Sequence, residues 1–439
     1  MAREPAIPGP LGRRHSALQL GVRRNLEPLV RITVAALPRA LDILMSLIGL
    51  VLLAPFLVLR MIYARVRYGH FLETSLLAGR YHVSFRRLYF PGAEAGHSWP
   101  VLINILRGDM SFVGPRPVSE QQGQVLRDVE GLRFAQRPGL VSPYTIRQKV
   151  GIAYEGERRV EREHYYAETA SGNLAVLGRS LISSALSGDS SLPTPDEIDF
   201  FGVRVTNTTM DEAVQWLIDR AHTTVPTQVA FVNPDYLNIA YVDADYRRVL
   251  QHASRVLPDG IGLRLGCRVF GVSLKANVNG TDLFPRLCTQ AAANDLPIFL
   301  LGARPGIAAL AAENLGKQFP HLRVVGTHHG YFGPDDEQQL IGSINASGAR
   351  ILIVAFGAPR QELWLSAHQD EIQAPVRVGV GGLLDFYSGR MPRAPQWVRE
   401  IGFEWAYRLY QEPGRLWRRY VIGNPLFLYR VWLQSRSAP

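Results

Sequence analysis

Cysteine is almost absent: Cys267 and Cys288 are the only two in 439 residues. Two thiols rule out a disulfide framework and a cysteine-built structural zinc site, and they read as reduced core residues in a cytoplasmic compartment. Walker loops, zinc signatures and nucleophile elbows are missing, and no Gly-x-Gly-x-x-Gly follows a strand-like run. Nothing in the chain calls for a cofactor or a metal. A cleavable signal is not expected either, because the start is basic and Pro-rich and the first long apolar run comes late. Disorder is excluded as well, since 47% of residues are hydrophobic and only 20% are charged.

Positive charge is in excess, at a net +10. A polyanionic partner accounts for such a balance, and nucleic acid and the anionic cytoplasmic leaflet are the two main candidates. Arg3, Arg13, Arg14, Arg23, Arg24 and Arg31 lie among Pro and Gly in residues 1–35, which read as a flexible basic leader. Residues 40–63, ALDILMSLIGLVLLAPFLVLRMIY, have the length of a membrane segment, interrupted by Asp42 and Pro55. Arg39 stands on one side and Arg60, Arg65 and Arg67 on the other, so the positive-inside rule gives no direction. That fits a re-entrant hairpin bent at Pro55 with both ends cytoplasmic; a buried soluble helix and a single span are the alternatives.

A distinctive string follows: Gly108-Asp109-Met110-Ser111-Phe112-Val113-Gly114-Pro115-Arg116-Pro117. With Leu41-Asp42-Ile43, Pro55, Arg80, Phe85-Arg86 and Arg137-Pro138-Gly139-Leu140, it makes residues 36–185 resemble the bacterial sugar transferases. These are membrane phosphoglycosyltransferases that move a sugar phosphate from a nucleotide sugar onto polyprenyl phosphate. The resemblance implies a membrane-embedded, mostly helical domain. One departure matters. The family's nucleophilic Asp, followed by Glu, stands just before its Pro-Gln-Leu-x-Asn stretch. Aligned on Pro100, Leu102 and Asn104, this chain has His97, Ser98 and Trp99 there, and Glu94 is three residues too early. Serine does not replace a carboxylate nucleophile without a base to activate it. The front module therefore reads as an anchor that has lost its chemistry and keeps a lipid-phosphate cradle at Arg116.

Residues 186–197 are rich in Ser, Pro and Asp and read as a linker. Beyond it, near-continuous apolar runs at 228–232, 297–301, 322–325, 350–355 and 376–380 alternate with helical patterns. The helices are expected at 210–220, 283–294, 307–319, 336–345 and 361–370. Such alternation indicates an α/β fold with a Rossmann-like, doubly wound parallel sheet over residues 198–395, followed by a basic helical tail at 396–439. Ligands sit outside the carboxyl ends of such strands. Asp259 falls at one of these ends, in Val256-Leu257-Pro258-Asp259-Gly260-Ile261-Gly262, where a proline and two glycines turn the chain sharply. A lone carboxylate with so little bulk around it suits a general base, although Pro-Asp-Gly is ordinary turn chemistry too. Gly302, opening Gly302-Ala303-Arg304-Pro305-Gly306, fits either a phosphate-lodging loop or a plain strand-to-helix turn. Asp243-Ala244-Asp245 lies inside a helical pattern and reads as a solvated face, and the adjacent His328 and His329 point apart.

The ordered strings Asn233-Pro234-Asp235, Pro258-Asp259-Gly260-Ile261-Gly262, Asn279-Gly280-Thr281-Asp282 and Gly357-Ala358-Pro359-Arg360-Gln361-Glu362 continue through Gly381-Gly382-Leu383-Leu384-Asp385 and Glu404-Trp405-Ala406-Tyr407-Arg408. Together they resemble the WecG/TagA/CpsF glycosyltransferases, family 26, over residues 198–423. The resemblance implies inverting, metal-free transfer of a sugar from a nucleotide donor, usually UDP-linked, to a polyprenyl-diphosphate-linked sugar. It also implies Asp259 as the base, with Asn233 and Gln361 lining the acceptor and donor site. Gly260, Gly262, Asn279, Asp282, Gly302 and Glu362 complete the candidate binding set.

The chemistry asks for positive charge where a nucleotide diphosphate leaves, and arginine forks match phosphate oxygens. Arg408, Arg415 and Arg418 lie seven and three residues apart and would share one face of a continuous helix, although Pro413-Gly414 threatens that continuity. The tail's interleaved arginines and aromatics suit a membrane interface, single-stranded nucleic acid, or a core helix with a basic outer face. The apolar segment upstream favours the membrane, and no nucleic-acid motif is present. The resulting reading is a glycosyltransferase of surface-polysaccharide assembly at the cytoplasmic face of a bacterial inner membrane. Its partners are a nucleotide sugar, a lipid-linked acceptor and anionic lipid; a homo-oligomer is left open. A bifunctional enzyme that also installs the first sugar phosphate, and a non-catalytic scaffold, are the alternatives.

Overall fold

The computed structural model describes residues 10–92, 99–126, 131–150, 156–186 and 192–437, with side chains from residue 37 onward. The chain divides into two compact units, one of residues 1–147 and 153–181, the other of 148–152 and 182–439.

In the front unit a single helix runs Pro10–Tyr68. The leader expected to be flexible is thus helical from Pro10, and the hairpin expected over 40–63 is replaced by an unbroken helix. Pro55 removes one i→i−4 hydrogen bond, but the apolar residues on both sides sustain the helix across it. Its part Leu37–Tyr68 is, among the described residues, the one helix long and apolar enough to cross a membrane by length and composition. Val51, Leu52, Phe56 and Leu59 each leave more than 60% of their surface uncovered. Five strands among the described residues make the unit less helical than expected. β1 (Glu73–Ala78) pairs antiparallel with β2 (Ser84–Tyr89) and β4 (Val118–Ser119), and β3 (Ser111–Val113) pairs parallel with β5 (Gly139–Val141).

Fixed polar contacts hold this unit together. The Asp42 carboxylate accepts from Ser111 Oγ at 3.1 Å and from the Phe112 N–H at 3.0 Å. Buried Asn104 accepts from Leu88 N–H and donates to Arg86 O and Asp109, which ties the helix Val101–Arg107 to β2. Arg39 donates to Ile105 O and Leu106 O, satisfying carbonyls that the end of that helix leaves open. His97, Ser98 and Glu94 lie outside the described residues.

The second unit opens with a hairpin, β6 (Glu197–Phe200) against β7 (Val203–Thr206). Six strands then form an all-parallel sheet: β8 (Thr227–Val232), β9 (Arg255–Pro258), β10 (Ile298–Gly302), β11 (Val324–His328), β12 (Ile351–Ala355) and β13 (Val376–Gly379). Their order is β11-β10-β12-β13-β8-β9, so β9 is an edge. Strands such as β10 and β12 are buried at every residue, as helices on both faces require. Helix starts follow local chemistry. Thr209 and Glu212 form a reciprocal capping box before Met210–Ala221. Asn233, Asp243 and Asn279 cap the helices at Pro234–Val242, Ala244–His252 and Gly280–Ala293. The Asp243 carboxylate accepts from the Asp245 and Tyr246 N–H groups, so the Asp-x-Asp is a cap at a helix junction rather than the helix face expected.

The tail is not a separate appendage. Its last helix, Gly423–Ser437, buries Phe427 and Val431 in one core with Phe200, Leu263 and Cys267. Gly266 makes this possible: a Cβ there would lie 3.0–3.1 Å from the rings of Phe200 and Phe427. Trp397, Tyr410, Trp417 and Tyr429 stay exposed on the same segment.

Candidate active site

Asp259 is the first residue after edge strand β9, and its N–H still donates to Val232 O at 2.7 Å. The chain must then turn at once into the helix Ile261–Val269. Gly260 makes the turn at φ 97°, a left-handed conformation that favours glycine, and its N–H donates to Asn277 Oδ1 at 2.6 Å. Gly262 is glycine for room, since a Cβ would fall 2.4 Å from Pro234 Cγ. Both glycines line the site, but what they supply is backbone geometry that aims Asp259.

The cavity so formed encloses about 120 Å³ at the carboxyl ends of β8 and β9, between the sheet and the tail. Asp235, Asp259, Asp282 and Glu404 give it negative charge, and Arg264, Arg399, Arg408 and Arg419 give it positive charge. Asn233, Asn279 and Thr281 supply neutral polar atoms. Asn233 Oδ1 is committed to its cap, accepting from the Asp235 and Tyr236 N–H groups at 3.1 Å each. Its amide N–H₂ is what it can offer a ligand. Asn279 donates to Asp282 Oδ2 at 2.8 Å, and the Asp282 carboxylate faces Arg393 at 2.5 Å and Arg399 at 3.8 Å. Asp282 thus braces arginines as well as lining the cavity.

Asp259 keeps a partly exposed face toward the cavity while protein surrounds it at longer range. That burial pushes its carboxyl up to about 6; Glu404 and Asp282 push the same way, and Arg408 and Arg419 oppose them. A carboxylate in this range can take a proton near neutral pH and is still ionised there. Arg408 lies over the Phe386 ring at 4.8 Å and 3.9 Å from Glu404, a loose pairing that a phosphate could replace.

Other expected residues fall elsewhere. Gln361 is 1% exposed and does not line the cavity. Its Oε1 accepts from Gly357 and Gly381 N–H at 3.1 and 2.9 Å, and its Nε2 donates to Glu362 at 2.7 Å, so it pins two strand-end loops together. Glu362 is fully buried, and burial raises its carboxyl to about 7. Gly302 ends β10 against the backbone of Ala355, away from this cavity. Arg415 is exposed and bonded to Glu412, and Arg418 is exposed beside Trp417. The shared helical face fails for a physical reason. The tail breaks between Gln411 and Pro413 and then widens into a π turn over Arg418–Ile422, so Arg408 before the break lines the cavity and beyond the break Arg419 does, in place of Arg415 and Arg418. In the front unit the Arg116 fork is filled by Glu157, at 2.9 and 3.1 Å, which holds its charge firmly and leaves no open phosphate cradle in this arrangement.

Arg264, Arg399, Arg419, Asp235 and Glu404 went unremarked as site residues. Asp235 and Glu404 stood inside quoted motifs, and Arg264 lies five residues after Asp259. Arg419 stood in the family-like string Arg418-Arg419-Tyr420, but helical spacing favoured Arg418, and that spacing does not survive a π turn.

Residues 198–439 match the glycosyl transferase WecG/TagA/CpsF family, and residues 97–180 match the bacterial sugar transferases. The first match spans more than half of the chain, and the protein belongs to the WecG/TagA/CpsF family of glycosyltransferases. It is accordingly a hexosyltransferase by class, and its two modules imply nucleotide-sugar or polyprenyl-linked substrates in general.

Proposed function

We propose that the second unit transfers a sugar, with inversion, from a UDP-sugar to a polyprenyl-diphosphate-linked sugar during surface-polysaccharide assembly. The observation that supports this most is Asp259, a carboxylate with a raised pKa at a strand end, facing a cavity lined by four arginines.

Asp259 removes the acceptor hydroxyl proton as that oxygen attacks the anomeric carbon. The bond from this carbon to the diphosphate oxygen breaks, and its electron pair leaves on the diphosphate. Arg408 receives the developing charge, with Arg399 and Arg264 lining the same cavity, so arginines rather than a metal offset it. Asn233 and Asn279 position sugar hydroxyls. Gln361 and Glu362 act from behind, by fixing the loops at Gly357 and Gly381. The apolar helix Leu37–Tyr68 and the exposed tail aromatics keep the site at the cytoplasmic face of the inner membrane, where both the nucleotide and the lipid-linked acceptor are found. The front module, with His97 and Ser98 where its family carries Asp-Glu, serves as the anchor.

Purified full-length protein, given a panel of UDP-sugars and a short-chain polyprenyl-diphosphate sugar, should yield one lipid-linked disaccharide by mass. Asp259→Asn should not. Equal product from the variant would overturn the assignment.

A further inference from the structure

Arg408 and Arg419 both bring positive charge to Asp259, but they are held very differently. Arg408 has one ring beneath it and one carboxylate at 3.9 Å. Arg419 is enclosed: its guanidinium lies 4.9 Å from the Tyr236 ring centroid and 5.5 Å from that of Tyr420, with Nε 3.5 Å from Asp235 Oδ2. The π turn that carries it is tied down as well, since Asn238 donates to Gly423 O at 2.7 Å and receives Arg430 on its own Oδ1 at 2.9 Å. A phosphate could draw Arg408 out of its loose pairing. Arg419 has little freedom to follow one.

We propose that Arg419, braced by Asp235, is a positioning residue for Asp259: it supplies the fixed counter-charge that keeps the base ionised while Arg408 is occupied by the leaving diphosphate. This rests on the reading of Asp259 as the base. The groups facing Asp259 come from four elements: Glu404 and Arg408 from Glu404–Gln411, Arg419 from the π turn, Asp282 from Gly280–Ala293, and Tyr236 from Pro234–Val242. Tyr236 is neutral at working pH, so the charges acting most strongly on Asp259 are two acids and two arginines. Of the other charged groups lining the cavity, Arg399 faces Asp282, Asp235 faces Arg419, and Arg264 donates to Lys149 O. Once a diphosphate neutralises Arg408, Arg419 is the one of these two arginines still acting on the base. Without it, Asp259 would hold a proton over more of the working pH range and accept one from the acceptor less readily.

The local potential can be read without any transfer reaction. In full-length Asp259→Cys protein, the alkylation rate with iodoacetamide is followed against pH, with the Asp259-intact chain as the blank for the buried Cys267 and Cys288. Adding Arg419→Gln should raise the thiol pKa by about one unit, and adding Arg419→Lys should leave it nearly in place. A thiol pKa that Arg419→Gln does not move overturns the proposal. In the Asp259-intact enzyme, Arg419→Gln should move the acid limb of kcat/KM upward by about the same amount, with little change in KM for the donor. A raised donor KM with an unmoved limb would make Arg419 a phosphate ligand and would also overturn it. If the thiol pKa shifts yet the unmutated enzyme transfers no sugar, the transfer reading fails and the electrostatic role of Arg419 stands.

Discussion

Both units bring arginines and carboxylates together, and the two sets differ in how tightly they close. In the front unit Arg116 meets Glu157 as a bidentate fork at 2.9 and 3.1 Å, and nearly buried Arg133 reaches the same carboxylate at 3.0 Å and Glu161 at 3.4 Å. In the second unit the Arg393–Asp282 pair is closed at 2.5 Å, but among the arginines that line the cavity Arg419–Asp235, Arg399–Asp282 and Arg408–Glu404 stand at 3.5, 3.8 and 3.9 Å. Closed forks give their directionality to the fold. Loose pairs keep the charges apart but leave their hydrogen-bonding capacity for an incoming anion. A run of basic residues in sequence does not distinguish the two cases; the distance between partners does.

The largest break of this comparison is at Asp259. Asp259→Asn should lower transfer by roughly 10²- to 10⁴-fold, the usual worth of a general base. The same change should raise thermal stability at neutral pH. Because the folded carboxyl sits at about 6 and the unfolded one near 3.8, the folded state favours the proton. Stability therefore falls as pH rises from the lower value through the higher one, and asparagine removes that loss, worth about 1–3 kcal/mol. Transfer should instead rise with pH through about 6, as the base ionises. A pH–rate profile beside a thermal-unfolding series would show the two trends crossing.

Arg408→Gln comes next, with a loss of roughly 10²-fold in kcat/KM, in the range of removing one donor from a developing oxyanion. Glu157→Gln should leave transfer unchanged and cost about 1–3 kcal/mol of front-unit stability, because Arg133 stays buried with a weakened partner set. Denaturant unfolding monitored by tryptophan fluorescence and a transfer assay on the same preparation separate these outcomes. A transfer defect in Glu157→Gln would mean that the closed set is functional after all.

How much of this was readable beforehand depended on the kind of signal. The parallel sheet was legible because buried strands leave unbroken apolar runs: 350–355 became Ile351–Ala355, and 228–232 became Thr227–Val232. Helix starts such as Met210 were legible through the residues around them. The strand-end position of Asp259 was legible because turn residues fix where a side chain goes, and turns are local; Asn233, which lines the same cavity, was marked by the family resemblance. Gln361 was marked correctly as distinctive and given the wrong place, since its motif does not say whether an amide faces a ligand or two backbone N–H groups. The hairpin β6–β7 was passed over because its strands, unlike the equally short but fully buried β13, alternate buried and exposed residues and leave no apolar run. The continuous helix through Pro55 and the π turn at Arg418 share one cause: each depends on how neighbouring turns compensate a disrupted hydrogen bond, which no residue pattern records.

The smallest expected effect is the most direct check on that last point. On a regular helix Arg415 and Arg418 would accompany Arg408, and each replacement would weaken donor binding. In the folded tail the Arg415 side chain is 70% exposed and bonded to Glu412, and Arg418 leans on exposed Trp417. Arg415→Gln should therefore change kcat/KM by less than about twofold, as expected for an exposed ion pair of little net worth. Its effect on binding to anionic vesicles should stay within about fivefold, since one surface arginine near lipid contributes about 1 kcal/mol. A loss of transfer comparable to that of Arg408→Gln would mean that the tail straightens when the donor binds. It would then bring the seven-residue spacing into use, with the break before Pro413 acting as the hinge.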